Sequence, residues 1–208
     1  MIHLMDAIPL FPLSRALFPD GVLHLRIFEV RYLDMVRKCI ANDSPFGVVV
    51  LLEGSEVRSP EGVETLASTG VLARIDDWRA PLPALMHIRC LGTERFRLTE
   101  KQKGQFGLWT GAIETIAQPS PLPVPPNLQA AANTLGRLIA DMQKEGMPAA
   151  AMPLAPPFRL DECGWVADRW CELLPLAPEQ AQDLLALDDA QERLRVVYDI
   201  LKHQGLLR

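Results

Sequence analysis

The first 116 residues carry a hydrophobic pattern that is mainly typical of β-strands. In VLHLRIF, the apolar residues Leu23, Leu25 and Ile27 alternate with polar ones, as expected for a half-buried strand. FGVVVLL (46–52) is a continuous apolar run, which is typical of a strand buried on both faces. Further strands are predicted at 70–75, 84–91, 94–98 and 107–116, with turns at the intervening glycines, including Gly92. This part is therefore predicted to be a closed or half-closed β-barrel.

Helical spacing interrupts the strands once and dominates the end of the chain. Val30, Leu33 and Ile40 recur at helical spacing in EVRYLDMVRKCIAN. After residue 126 the apolar residues again recur three or four apart in several segments, and Asp189 with Glu192 has the spacing of a capping box. The second part is predicted to be a bundle of about four helices, so the predicted fold class is α+β.

Proline marks the boundary between these two parts. The segment AQPSPLPVPP (117–126) holds five prolines in ten residues, which excludes a helix or an inner strand and indicates a stiff, extended linker. We therefore predict a barrel domain at 1–118, a proline-rich linker at 119–126 and a helical bundle domain at 127–208.

Charge restricts the classes of partner. The formal net charge is −5; residues 1–118 hold 14 acidic and 13 basic residues (net −1), and residues 127–208 hold 12 and 8 (net −4). Neither part has the basic excess that drives binding to phosphates, which argues against a nucleic-acid partner. No apolar run is long enough to span a membrane, and the N-terminus lacks the pattern of a signal peptide. We expect a cytoplasmic protein without a membrane partner.

Sequence motifs of enzymes are absent. The chain has no GxxxxGK(S/T) or GxGxxG loop, no GxSxG and no HExxH. His87 and Cys90 are the nearest approach to a metal-ligand pair, but residues three apart on a strand point to opposite faces. The four cysteines lie in apolar runs without a CxxC motif and are predicted to be buried, reduced thiols. We predict no catalytic, cofactor-binding or metal-binding residue and do not expect an enzyme.

Residues that suit protein binding are better represented. Trp78 and Arg79 stand in IDDWRAPLPALM, which we predict to be a proline-bearing loop between two strands. Exposed Trp and Arg are the side chains that most often anchor a partner. We take Trp78, Arg79 and Trp109 as candidate partner-binding residues, although each tryptophan could instead pack against the barrel.

A series of phrases runs in one order along nearly the whole chain. They are PLFPL (9–13), LFPDG (17–21), LHLRIFEVRY (23–32), FGVV (46–49), STGVLARI (68–75), GTERFRL (92–98) and LLALDDAQERLRVVYDIL (184–201). This series resembles the N-terminal, substrate-binding domain of Lon proteases. The resemblance implies a PUA-like β-pseudobarrel with one inserted helix, followed by a helical bundle. It also implies a non-catalytic module, here a stand-alone Lon-domain protein lacking the ATPase and protease domains.

The resemblance rests on a set of fingerprint residues to which we assign a role in the fold. They are Pro9, Phe11, Pro12, Phe18, Pro19, Phe28, Glu29, Arg31, Tyr32, Gly47, Gly92, Arg95 and Phe96. The prolines suit strand edges or turns, and Leu23, Leu25 and Ile27 are expected to form the first strand. Glu29 and Arg31 are two positions apart, which on a helix does not favour a pair, so each is predicted to contact another element.

Three functions from different classes remain at this stage. The leading hypothesis is a module that binds unfolded or extended polypeptide, as an adaptor or substrate-recognition protein that works with a Lon protease or another protein. The first alternative is RNA binding by a PUA-like barrel. The second is an enzyme that acts on a small molecule in a cleft between barrel and bundle, which requires a deep polar pocket.

Overall fold

The structure is a computed structural model that describes residues 4–56, 63–104, 106–148 and 151–207. It confirms the predicted α+β class, with strands in the first part and helices in the second. The strands are β1 (Leu4–Leu13), β2 (Val22–Ile27), β3 (Phe46–Glu53), β4 (Thr65–Leu82), β5 (Leu85–Lys103) and β6 (Trp109–Thr115). The helices are α1 (Val30–Asn42), α2 (Gln129–Lys144), α3 (Cys163–Leu173), α4 (Pro178–Ala186) and α5 (Ala190–His203).

The sheet closes on itself. Its strand order is β2-β5-β4-β3-β1-β6, and β5 also pairs with β6, so that β1, β3, β4, β5 and β6 form a ring. β1 and β3 are parallel, and the other pairings are antiparallel. β2 pairs only with β5 in the described sheet and lies outside this ring, and α1 follows β2 directly. Closure protects the barrel strands from unpaired edges.

The chain begins its sheet earlier than the sequence pattern predicts, because residues 4–13 already form β1. The prediction that Leu23, Leu25 and Ile27 form the first strand is therefore wrong. β1 pairs with β6 up to Leu10 and with β3 from Leu10 to Leu13, so Pro12 lies beyond the β6 ladder. At Pro12 the strand pairs with β3 on one side, and a missing N–H is tolerated there.

The predicted strands at 84–91 and 94–98 are one continuous strand, β5. Gly92 lies inside it rather than in a turn, because the backbone of the loop before β2 approaches there. The Gly92 N–H donates to the Gly21 carbonyl oxygen, and its own carbonyl oxygen accepts from the Asp20 N–H, each at 2.9 Å. A Cβ at position 92 would come within 2.2 Å of the Phe18 carbonyl oxygen. Close backbone approach, not turn geometry, requires this glycine.

The helical part packs directly on the barrel. One hydrophobic cluster contains Phe11 and Val48 from the barrel together with Leu135, Trp170 and Leu201 from the helices. A second cluster, built around Leu10, Phe96 and Ile113, fills the barrel. The proline-rich segment is extended and bonded to the loop before α3, since the Val124 N–H donates to the Asp161 carbonyl oxygen at 2.9 Å. No helix in the described ranges has the length and apolarity to cross a bilayer.

Candidate functional site

An apolar groove of about 900 Å³ lies between the start of α1 and the β5–β6 connection. We call it the α1 groove. Its lining comes from β1, from the residues before α1, from α1 itself and from the connection: Pro9, Phe28, Glu29, Val30, Arg31, Asp34, Met35, Lys38, Cys39, Asn42, Ser44, Phe106 and Leu108. This volume is in the range of pockets that hold ligands. The α1 groove is therefore the candidate site.

Three large apolar side chains at the groove are turned toward solvent. Phe28 is 54% exposed, Val30 73% and Phe106 75%. Met35 and Cys39, one and two turns along α1, are buried beneath them. Single exposed apolar residues are ordinary on protein surfaces, but several around one concavity mark an interaction site. A partner that covers these side chains would remove their apolar surface from water.

Arg31 holds the two walls of the α1 groove together. Its side chain is buried, and its Nη1 donates to the Gly107 carbonyl oxygen at 2.6 Å, which ties α1 to the β5–β6 connection next to Phe106. The guanidinium also lies 4.4 Å from the centre of the Tyr32 ring, which stacks on Phe11 at 4.1 Å. The connection that carries Phe106 is thus anchored by a charge-assisted hydrogen bond.

The prediction that Glu29 and Arg31 each contact another element is confirmed for Arg31, which reaches Gly107, but the two residues also pair with each other at 3.1 Å, which the prediction did not favour. Glu29 is the residue before the helix and has extended backbone angles, with φ −75° and ψ 134°. The i, i+2 rule applies only within a helix. Glu29 can therefore turn its carboxylate toward Arg31.

The groove carries little reactive chemistry. Burial raises the pKa of the Cys39 thiol, against a smaller opposing effect of the Ser44 hydrogen bond, and a protonated thiol is a poor nucleophile. The other polar groups of the lining include the carboxylates of Glu29 and Asp34 and the ammonium group of Lys38. In the described ranges no three His, Cys, Asp or Glu residues are placed to hold a metal ion.

The structure places Trp78 and Arg79 inside β4, so the prediction of a loop is wrong. Trp78 pairs with Ile88 and Arg79 with His87 in a long β4–β5 hairpin whose tip lies at Leu82 and Leu85. The prolines of this segment fall at or next to the tip, where a missing N–H is tolerated. Trp78 is 50% exposed and lines two hollows outside the α1 groove, one with Ile40 and Pro83 and the other with Arg79.

Trp109 lies far from this pair, at the start of β6 opposite Lys103. Its ring packs against the barrel cluster, with the Lys103 ammonium 5.3 Å from the ring centre. Its Nε1 donates to the Glu64 carboxylate. Burial tends to raise the pKa of Glu64, but the hydrogen bonds from Trp109 and Lys103 outweigh it, and the pKa is lowered. The indole N–H of Trp109 thus already has a partner.

His87 and Cys90 lie on opposite sides of β5, as predicted. Cys90 is fully buried, whereas the His87 ring contacts Arg79. All four cysteines are free and buried, which confirms the prediction of reduced thiols. Burial, the largest effect, raises the pKa of Cys90 to about 12.

The contact between barrel and bundle, which we call the seam, is lined by buried charged groups. Arg95 on β5 donates to the Leu185 carbonyl oxygen at 3.0 Å, and Arg193 on α5 pairs with Asp168 on α3 at 2.9 Å. Burial raises the pKa of Asp168 against the opposing effect of Arg193 and its neighbours. The cavity here measures about 140 Å³, below the usual range for small-molecule sites.

Sequence reasoning identified several groove residues but gave them another role. Pro9, Phe28, Glu29 and Arg31 belong to the fingerprint that was assigned to the fold, and all four line the α1 groove. Phe106 was missed altogether. Its signal in the sequence is the phrase KGQFG, in which a large apolar residue stands in a glycine-bearing turn where water is the expected neighbour.

The fold is a closed barrel with an inserted helix, a helical bundle packed on it and an open apolar groove beside that helix. The chain belongs to the family of the ATP-dependent protease La (LON) substrate-binding domain, whose model matches residues 7–203. This confirms the resemblance seen in the sequence. The family is defined by substrate binding and not by the proteolytic part of that protease.

Solved structures of the same fold agree with this assignment. The Lon N-terminal domain protein from Xanthomonas campestris is 29% identical, with a TM-score of 0.70, over 94% of this chain and 98% of that one. The N-terminal domain of the Mycobacterium avium complex Lon protease is 15% identical, with a TM-score of 0.55, over 93% of this chain and 97% of that one. The second likeness shows the fold alone. No curated protein matches the chain.

Proposed function

We propose that this protein is a non-catalytic module that binds unfolded or extended polypeptide through the α1 groove. The observation that carries the proposal is the cluster of Phe28, Val30 and Phe106 around one apolar concavity. An unfolded chain exposes the apolar side chains that such a surface can cover, whereas a folded protein buries them. The family's role in substrate binding supports the same class of partner.

The groove is suited to short and reversible contacts. Stable protein interfaces bury about 1,600 Å² in total, and a groove that presents three exposed apolar anchors engages a short segment instead. Transient capture fits a substrate-recognition or adaptor protein that passes polypeptides to a partner such as a Lon protease. We propose this role for a PUA-like barrel working in the cytoplasm.

The two alternative functions have weaker support. The seam cavity of about 140 Å³ is small for an enzyme substrate. RNA binding lacks a general electrostatic drive, since the formal net charge of the chain is −5.

Binding of a fluorescent, carboxymethylated and therefore permanently unfolded protein, followed by fluorescence anisotropy, tests the proposal. We expect Phe28→Ser and Phe106→Ser each to weaken binding about tenfold, since covering one phenylalanine contributes roughly 1.5–3 kcal/mol. Leu138→Ser is the matched control, because Leu138 is an exposed apolar residue on α2, away from the groove. Melting temperatures of the three variants should stay close to that of the unaltered protein, because each side chain is solvent-exposed.

Two results would contradict the proposal. One is equal binding by the groove variants and the Leu138→Ser control. The other is equal affinity of the unaltered protein for the unfolded probe and for the same protein in its native, folded form.

A further inference from the structure

Three basic side chains stand in one row across β2, β5 and β4. In the sheet register Arg26 pairs with His87, and His87 pairs with Arg79. Residues directly opposite each other in antiparallel strands point to the same face, so the three side chains are neighbours. We call Arg26, His87 and Arg79 the basic row.

The basic row contains no carboxylate. The Arg79 Nη2 lies 3.2 Å from the His87 Nδ1, and because a guanidinium can only donate, Nδ1 must be the acceptor. The Arg26 side chain is exposed, and no hydrogen bond or ion pair links it to a residue that the structure describes. The row therefore presents two guanidinium groups on the surface, one on each side of His87, without an acidic partner among the described residues.

The neighbouring row shows that this sheet can compensate an arginine. It consists of His24, Arg89 and Asp77, and the Arg89 guanidinium forms an ion pair with Asp76. Asp76 is the extra residue of a β-bulge between Ile75 and Asp77, which lets it reach Arg89. Within these two rows, Arg26 and Arg79 are the guanidinium groups without an acidic partner among the described residues.

Both rows line a surface concavity of about 440 Å³. Arg26 lies at the end of β2, two residues before Phe28 of the α1 groove, which is roughly 7 Å of extended chain. The concavity and the groove therefore lie close together on the surface. A polypeptide held at Phe28 needs only a few more residues to reach Arg26.

We propose that the basic row binds the carboxylates of an acidic stretch that flanks the apolar residues held in the α1 groove. This inference rests on the proposed function and names its preferred substrate class, apolar segments with adjacent Asp or Glu. Arg26 and Arg79 can donate to carboxylate oxygens through their guanidinium groups. The nearby Asp76 and Asp77 and the chain's net charge of −5 favour a few carboxylates over a run of phosphates.

Three synthetic peptides test this inference. They share one apolar core and differ in flanks of Asp and Glu, of Ser and Gly, or of Lys at both ends. At low salt we expect the acidic peptide to bind about three- to tenfold tighter than the neutral one, as two exposed ion pairs allow, and the Lys peptide to bind weakest. This advantage should shrink as salt is raised.

The double variant Arg26→Gln/Arg79→Gln should lose the acidic advantage and keep its affinity for the neutral peptide. Arg97→Gln is the matched control, because Arg97 is an exposed arginine on β5 outside both the row and the concavity. Equal binding of the acidic and neutral peptides, or an advantage that survives in the double variant, would overturn the inference.

Two further outcomes separate this inference from the proposed function. If the acidic peptide binds through the row while the neutral peptide does not bind and Phe28→Ser has no effect, the row stands and the groove function fails. If a single-stranded RNA oligonucleotide binds tighter than the acidic peptide and the double variant abolishes that binding, the partner is a nucleic acid and the inference is overturned.

Discussion

The seam and the α1 groove have opposite properties. At the seam, Arg95 and Arg193 are buried and bonded to carbonyl oxygens or carboxylates. At the groove, the apolar side chains of Phe28 and Phe106 are exposed to solvent. Buried charges are costly unless they are paired, whereas exposed apolar surface costs free energy until a partner removes it from water. The seam therefore serves stability, and the groove is available for binding.

Arg31 combines a buried, hydrogen-bonded guanidinium, as at the seam, with a position in the lining of the α1 groove. It is buried like the seam arginines, and its hydrogen bond to the Gly107 carbonyl oxygen positions the connection that carries Phe106. The comparison thus predicts which variants change stability, which change binding, and which change both.

The largest effect is expected at the seam. Arg193→Ala leaves the Asp168 carboxyl buried without its ion-pair partner, so we expect the free energy of unfolding to fall by about 3–5 kcal/mol. Urea unfolding followed by circular dichroism measures this. Arg195→Ala on the same helix is the control, because Arg195 is half exposed and its surface ion pair should contribute little to stability. Equal effects of the two substitutions would show that the seam pair is not a stabilising contact.

The pH dependence of stability provides the second test of the seam. Burial raises the pKa of Glu172 to about 7, although Arg169 and the Phe18 N–H hydrogen bond oppose this. Between the ordinary glutamate pKa and about 7, the folded state binds more protons than the unfolded one, so stability falls as pH rises. We expect a loss of about 2.5 kcal/mol between pH 5 and pH 8, to which the raised pKa of Asp168 adds in the same direction.

Glu172→Gln should flatten this pH dependence, since the amide does not titrate in the range. Glu179→Gln, a change at an exposed position on α4, should leave it unaltered. Urea midpoints measured at four pH values distinguish the two variants. A slope that stays the same in Glu172→Gln would exclude Glu172 as its source.

The smallest of these stability effects is expected at Arg31. Arg31→Ala should lower the free energy of unfolding by about 1–3 kcal/mol, because the Gly107 carbonyl oxygen and Glu29 lose their partner. It should also weaken binding of the unfolded probe, since the Phe106 connection is released. Arg37→Ala, on the exposed side of the same helix, is the control for both measurements. An unchanged melting curve for Arg31→Ala would refute the stability part of this prediction.

Much of the fold was accessible from local patterns. The alternation at Leu23, Leu25 and Ile27 predicted β2, and the β-branched run at 46–52 predicted β3. Asp189 caps α5 as its spacing with Glu192 indicated, with its carboxylate accepting from the Gln191 and Glu192 N–H groups. These features depend on neighbours in sequence, which is why the sequence alone determines them.

Other features depended on distant partners. β1 was missed because Pro12 is tolerated in it only beyond the end of the β6 ladder. Gly92 was assigned to a turn because the approach of the Phe18 backbone cannot be read locally. The domain boundaries at 118 and 127 remain a prediction, and the cluster that joins Phe11 to Leu201 shows close packing between the two parts.

The sequence by itself determined the fold class, the family and the absence of known catalytic motifs, because these rest on residue order and periodicity. Only the tertiary structure decided where a partner could bind. It brought Phe28 and Phe106, 78 positions apart, to one groove and aligned Arg26 with Arg79 across three strands. Which side chains a chain exposes after burying its core depends on which residues of neighbouring strands pair. That pairing is set only when the whole chain has folded.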